Sequence, residues 1–331
     1  MKFLLIGIGI IAVLLILLPH IVYLLAKLAG VVAHFRVGYR PFGIAAIVLV
    51  VVWVLIAIFG NVYGRFRCEV KQVQLSFSNL PASFDGLRIV HISDLHLDGW
   101  AGHGKELQQR VDEINALHPD IICFTGDLVS LSPDELKPFV PILRQLRTNQ
   151  EGHVYAVLGN HDYMPYTRFS NDRERETAVA ELVRMEREEL GWKLLLNESE
   201  VIRLGGDSIA ILGCENQSVG AHPVIQRGDL RKTVSGKENT FSILLTHDPS
   251  QWRKEVLVET NIPLTLSGHT HAMQFRILGF TPSKWLYPEC DGLYSEGKQH
   301  LYVNIGIGMV GVPMRIGATP EITVIQLRIK N

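Results

Sequence analysis

Two long apolar runs open the chain. Phe3 to Leu28 is broken only by Pro19, His20 and Lys27, and Phe42 to Gly60 carries no charge at all. A helix that crosses a bilayer needs about 20 apolar residues, so each run predicts a transmembrane helix. His34, Arg36, Arg40 and Pro41 lie between them, and Tyr39, Trp53 and Tyr63 suit the membrane–water interface. No small-residue cleavage pattern follows the first run, which speaks against a cleaved signal peptide. The uncharged length of the second run speaks against a hairpin buried in a soluble core. Two spans put the N-terminus and everything after Arg65 on one side of the membrane. Lys2, Arg65, Arg67 and Lys71 compete with Lys27, Arg36 and Arg40, so the positive-inside rule leans only slightly toward the cytoplasm. The expectation is an integral membrane protein with its larger domain leaning toward the cytoplasmic side.

From Arg65 the pattern changes. Gln72 to Ser78 alternates polar and apolar positions, as a half-buried strand does. Short apolar runs then recur at Leu87–Ile92, Ile121–Phe124, Val154–Leu158, Ile209–Leu212, Ile243–Leu245 and Leu264–Leu266. Runs of this length fit strands buried on both faces. Lys105–Leu117 reads as a helix stopped by His118-Pro119, because the residue before proline avoids the helical region. Ser132-Pro133-Asp134-Glu135 reads as a helix start. Thr177–Leu190 reads as an exposed charged helix, with Thr167–Leu190 either a solvated element or part of a rim over a site. Leu301–Val303 and Glu321–Arg328 add strands. Strands alternating with helices imply a layered α/β fold. The expected division is a transmembrane hairpin over 1–64 and a second domain over 65–331.

The formal net charge of -1 over 331 residues offers no basic footprint, so nucleic-acid binding is not expected. Cys68, Cys123, Cys214 and Cys290 show no C-x-x-C spacing, and four free thiols are expected.

The unusual residues gather after the buried runs. Ser93-Asp94-Leu95-His96 follows the first, Gly126-Asp127 the second and Gly159-Asn160-His161-Asp162 the third. Thr246-His247-Asp248 and Ser267-Gly268-His269-Thr270-His271 follow later ones. In α/β sheets, ligands collect beyond the carboxyl ends of strands. Carboxylate oxygens and imidazole nitrogens suit divalent ions such as Mn, Fe, Zn, Co and Ni. An extended Asp-x-His or His-x-His would place both side chains on one face. Each element alone is a weak signal; the ordered set is a strong one. His20, His103, His118, His153, His222 and His300 stand outside it and receive no role. Asp98, Asp162 and Asp248 are either partners of the ligand histidines or ordinary turn and cap residues.

This ordered set resembles the calcineurin-like metallophosphoesterases, over roughly Leu87 to Arg328. The resemblance implies an α/β fold, a calcineurin-like four-layer β-sandwich flanked by helices, preceded here by the two-helix membrane module. It implies two divalent metal ions, with Mn placed first. Asp94, His96, Asp127 and His271 would hold one ion. Asp127, Asn160, His247 and His269 would hold the other, so Asp127 bridges. His161 would act beside the leaving group, as a catalytic residue and not a ligand. The stretch Leu301 to Gly308, with Pro313, Arg315 and Pro320-Glu321-Ile322, is similar to membrane-associated bacterial members. Those include small phosphodiesterases and UDP-diacylglucosamine pyrophosphatases. Two departures stand out. Ser130 and Leu131 replace the Asp and Arg of the family's protein phosphatases, which argues against a phosphoprotein and leaves His161 without its usual carboxylate partner. Ala272-Met273 replaces Gly-Gly after Gly268-His269-Thr270-His271, so the loop there is expected to differ in shape.

The leading expectation is hydrolysis of a phosphodiester or pyrophosphate in a phosphorylated lipid or glycolipid, with the bilayer as partner. The alternatives are a phosphodiesterase acting on soluble nucleotides and a non-catalytic metal-binding scaffold. The oligomeric state is left open.

Overall fold

The computed structural model describes residues 2–149, 153–219 and 225–330. Two compact units emerge: 1–66 with 311–316, and 67–310 with 317–331. The segment 311–316 thus groups with the helical unit rather than with the chain around it.

The first unit is built on α1 (Lys2–Val32) and α2 (Arg40–Phe59), the latter ending in a π-turn over Gly60–Gly64. The spans measure 24 residues at mean hydropathy 2.6 and 25 residues at 3.1, and their large apolar side chains are mostly exposed. Such surface is compatible with lipid and costly in water. Within this unit the Asn61 amide donates to the Pro313 carbonyl at 2.5 Å.

The second unit runs β1 (Glu69–Phe77), β2 (Arg88–Ile92), α3 (Gly104–Ala116), β3 (Ile121–Phe124), α4 (Val140–Leu143), β4 (Val154–Ala156), α5 (Asp172–Arg184), β5 (Lys193–Leu194), β6 (Glu198–Leu204) and β7 (Asp207–Gly213). It continues through α6 (Leu230–Val234), β8 (Ser242–Leu245), α7 (Leu257–Glu259), β9 (Leu264–Ser267), β10 (Gly292–Glu296), β11 (Gln299–Val303) and β12 (Glu321–Ile329). One six-stranded sheet has the order β1-β12-β2-β3-β4-β5 and the other β10-β11-β9-β8-β7-β6. β2 to β5 are mutually parallel, as are β7, β8, β9 and β11.

Alternate residues explain the layers. Ile89, Ile121, Cys123 and Tyr155 of one sheet meet Ile209, Ile211, Ile243, Leu245, Leu264 and Leu266 of the other in one core. The intervening Ala210, Leu212 and Leu244 turn outward onto Trp252, Val256 and Leu230. Strands covered on both faces need apolar side chains at every position, which is why they read as unbroken runs. Each fully buried Leu or Ile contributes about 1.5–3 kcal/mol.

Two helical expectations need correction. Ser132 does cap a turn, with Glu135 completing a capping box, but the segment breaks into short pieces over Pro133–Glu135, Lys137–Phe139 and α4. Pro138 and Pro141 lack N–H groups and clash with the preceding turn, so no longer helix forms. The charged helix begins earlier than expected, at Asp172 behind Asn171, whose side chain accepts from Glu174 N–H at 2.9 Å. It is also not simply exposed: Val179, Leu182, Met185 and Glu186 are buried. No disulfide joins the cysteines among the described residues.

Candidate metal centre

Parallel strands in one sheet end at the same edge, and the loops beyond β2, β3 and β4 stay paired after the strands stop. Asp94 N–H donates to Gly126 O at 2.9 Å and His96 N–H to Asp127 O at 3.1 Å. The other sheet supplies the loops after β8 and β9, where Gly268 N–H donates to His247 O at 3.0 Å. Close approach of these loops demands glycine. A Cβ on Gly268 would stand 1.8 Å from Ser93 Oγ, and one on Gly308 would stand 1.9 Å from Leu95 O. Gly308 belongs to the strand-end loop that donates to Asp94 O at 2.8 Å, so the stretch after β11 backs the site.

The expected extended pairs are absent. Asp94, His96, Asp127, His269 and His271 all have φ between 46° and 76°, the left-handed region. Such backbone is costly for residues with a Cβ and persists where surrounding structure enforces it. Its effect is to send His269 and His271 to different groups. Ala272 and Met273 take the same conformation, each with φ of 48°, the region that glycines would occupy without strain.

Asp94, His96 and His271 form one group, all buried. His96 Nε2 lies 3.1 Å from His271 Nε2, and His271 Nε2 lies 3.3 Å from Asp94 Oδ1. Asp127, His247 and His269 form a second, joined by Asn160. Asn160 Oδ1 is 3.2 Å from His247 Nε2 and 2.8 Å from His269 Nδ1. Asp127 Oδ2 lies between the groups, 3.4 Å from His96 Nε2 and 3.2 Å from His247 Nε2. None of His20, His103, His118, His153 or His300 enters either group among the described residues. His222 lies outside the described residues.

The donors fit cations. His247 Nδ1 is 2.7 Å from the Thr125 carbonyl, which only accepts, so Nδ1 carries the proton and Nε2 presents a lone pair. His269 Nε2 points to Tyr287 Oη at 2.7 Å, leaving its Nδ1 facing inward. The inward nitrogens of His247 and His269, the Asn160 oxygen and the Asp127 carboxylate converge there, a donor set that suits a divalent cation. Around a cation bonded at about 2.0–2.2 Å, neighbouring ligand atoms stand about 3.0–3.5 Å apart, close to the separations seen. Burial lowers the His247 pKa, yet Asp127, Asp94 and the Thr125 carbonyl outweigh it and raise it to about 10, the same demand for positive charge met by a proton. Burial would raise Asp127, but His247, His161 and His96 hold it well below the carboxylate range. Burial leaves Asp94 raised to about 6.

His161 stands beside the shared carboxylate. Its N–H donates to Asp127 Oδ1 at 2.8 Å, and its ring meets His96 edge-on at 4.8 Å. The missing carboxylate partner is replaced by a backbone group: Nδ1 donates to Ser130 O at 3.0 Å. Ser130 Oγ links Asp98 Oδ1, at 2.5 Å, to His96 Nδ1, at 3.1 Å. Of the other two aspartates, Asp162 accepts from the N–H groups of Asp127, Leu128, Val129 and Gly159 at 2.8–3.1 Å, binding the loops to each other. Asp248 lies 3.7 Å from His269 Nε2 and also caps its own turn through Ser250 N–H at 2.9 Å.

Several contributors escaped sequence reasoning. Tyr287 orients His269 and carries no motif. Tyr166 packs on His161 at 4.7 Å. Glu135 accepts from Ser130, Leu131 and Ser132 N–H groups at 2.7–3.1 Å and shapes the Ser130 turn; its capping-box spacing was the available signal. A cleft of about 400 Å³ is lined by Ser250, Arg253, Lys254, Leu286 and Tyr287, the last of which meets His269 Nε2. A larger cavity, about 690 Å³, lies at the opposite strand ends around Asp120, Ile121 and Tyr155 and is lined by none of the candidate ligands.

A mixed two-sheet α/β fold with paired carboxylate–histidine groups at its strand ends defines a class, metal-dependent phosphoester hydrolases, and sequence comparison agrees. Residues 87–273 match the family described as calcineurin-like phosphoesterase, and the chain belongs to that family. An uncharacterised metallophosphoesterase of Bacillus subtilis is 32% identical over 288 residues, covering 82% of this chain and 92% of that protein. A transmembrane protein with metallophosphoesterase domain from Danio rerio is 29% identical over 300 residues, covering 85% of this chain but only 62% of its own length. The crystal structure of phosphopantetheinyl hydrolase from Mycobacterium tuberculosis matches with TM-score 0.38 and 15% identity, over 66% of this chain and 88% of that one. A likeness at that level says nothing about substrate.

Proposed function

We propose that the chain is a membrane-anchored phosphodiester or pyrophosphate hydrolase that works with two divalent cations on a lipid-linked substrate. The observation that carries this is the shared Asp127 Oδ2, within 3.4 Å of one group and 3.2 Å of the other. Two divalent cations held there would supply a water of lowered pKa and a clamp for phosphoryl oxygens, with Mn the first ion to test.

The protein's own groups do the rest. Asp127, Asp94 and Asn160 present oxygens, and His96, His247, His269 and His271 present nitrogens, the His247 tautomer set from behind by the Thr125 carbonyl. The Ser130 carbonyl holds a proton on His161 Nδ1, so only the imidazolium form has a proton on Nε2 to give to the leaving oxygen, and giving it leaves the neutral ring with its proton on Nδ1. Tyr166 limits where that ring turns. A lipid-linked substrate is supported by the two apolar spans and by the cleft beside Tyr287. The flanking charges support a cytoplasmic face of a bacterial inner membrane.

The test uses the detergent-solubilised full chain. Mn-dependent hydrolysis of bis-p-nitrophenyl phosphate should appear, and Asp127→Ala should abolish it. A lipid-linked pyrophosphate in mixed micelles should turn over faster than a soluble nucleotide diester. No turnover in metal-loaded protein would favour the scaffold; preference for the soluble diester would remove the lipid.

A further inference from the structure

Past the second ligand group the chain makes a braced apolar protrusion. Ile277 and Phe280 pair through two backbone bonds of 2.9 Å, leaving Leu278 and Gly279 at the tip. Leu278 is 102% exposed and Trp285 76%. Ile277, Phe280 and Leu286 are exposed too, and the Phe280 and Trp285 rings pack 5.4 Å apart, so the patch is continuous. The protrusion is held in place: Arg276 pairs with Asp291, and Thr281 Oγ1 donates to Ala272 O at 2.6 Å. Scattered exposed apolar residues are ordinary; a contiguous braced cluster marks an interaction surface.

The tip carries a second signal. Leu278 and Gly279 have φ of 49° and 81°, a turn geometry that favours Asn-Gly. Leucine there is unfavourable in backbone conformation and in hydration, so its presence calls for a partner that takes up the side chain.

Charge and tethering select the partner. From Met273 to Pro288 there is no acidic residue; Lys284 is cationic, and the Arg276 charge is balanced by Asp291. Trp and Lys side by side, as at Lys284-Trp285, suit the membrane–water interface, with the ring among headgroups and the ammonium near anionic phosphates. The same chain carries two candidate spans, so a bilayer is the one surface always at hand. We infer that residues 276–286 form an interfacial docking element that seats in the headgroup layer and holds the open side of the site, by His269 and Tyr287, at the lipid surface. Only its consequence for substrate rests on the lipid-linked reading above.

The test places a nitrobenzoxadiazole label on Leu278→Cys in a Cys68→Ser background, using the full chain in phosphatidylcholine–phosphatidylglycerol vesicles. Glu238→Cys, in an exposed turn, is the water control. The label at 278 should emit blue-shifted and be quenched by doxyl-labelled lipid; the label at 238 should do neither. Equal emission at both positions overturns the proposal, as does shielding at 278 that follows protein concentration without lipid quenching, which would mean a second copy covers the patch. The double variant Leu278→Asp/Trp285→Glu should keep bis-p-nitrophenyl phosphate turnover and lose about tenfold on a vesicle-embedded substrate. Lipid-quenched label with unchanged lipid turnover would leave the docking element standing and remove the lipid-linked reading.

Discussion

The two ligand groups are built alike and enclosed differently. Asp94, His96 and His271 are all buried, and His96 is braced by Ser130 and Asp98. In the second group, His269 is partly exposed and borders Tyr287, which lines a cleft of about 400 Å³. The backing differs as well. Behind Asp127 and Asn160 lies Asp162, saturated by backbone N–H groups, with the fully buried Glu186 beyond it. On the reading proposed above, one half would be the anchor and the other the side from which substrate arrives. Asp127 makes them a single device.

The sharpest way to separate binding from chemistry is His161→Ala. His161 touches Asp127 through its backbone N–H, which alanine keeps, so metal content should be unchanged. Turnover should fall about 10²–10⁴-fold, the usual range for a lost proton donor. Metal lost in parallel with activity would make His161 part of the metal-holding set.

Glu186 probes the charged backing. Burial first, then the Asp162 carboxylate, push its pKa well above the usual range, and neither oxygen has a hydrogen-bond partner. The folded protein therefore binds this proton more tightly than the unfolded chain does. Stability is largest below the unfolded pKa of about 4.5 and declines as pH rises above it, by at most about 1.4 kcal/mol per pH unit. Glu186→Gln removes the ionisation. In thermal melts its advantage over the parent protein should widen from pH 5 to pH 8. A constant offset would show that Glu186 is not protonated in the fold.

Ser130→Ala tests the anchor half. It deletes the hydroxyl between Asp98 and His96 but keeps the carbonyl that serves His161. The tighter of two cation affinities should weaken about tenfold, the scale of a lost partner behind a ligand histidine. A change confined to the weaker affinity would reverse the assignment of anchor and open side.

Much of this was legible in the chain itself. Ile121–Phe124 and Ile243–Leu245 read as strands because burial on both faces leaves no polar position. The candidate ligands stand out in the sequence because each follows such a run, and the fold gathers them into two groups. Which sheet each run joins could not be read, since β3 and β8 look alike in sequence and differ only in long-range pairing. The left-handed backbone at Asp94, His96, His269 and His271 was hidden too, because nothing in those side chains announces it; around Asp94 it goes with close packing of Ser93 to Leu95 against Gly268 and Gly308. The Ser130 carbonyl was invisible because a main-chain group has no sequence signature. Glu186 reads as one more charge in a solvated helix until the turn after α5 carries it inside.

The most direct measurement is the metal content of the purified full chain, by mass spectrometry after loading with Mn and removal of free ion. The shared carboxylate predicts two bound ions per chain, and loss of both in Asp127→Ala. One ion per chain in the parent protein, or two retained by the Asp127 variant, would contradict it.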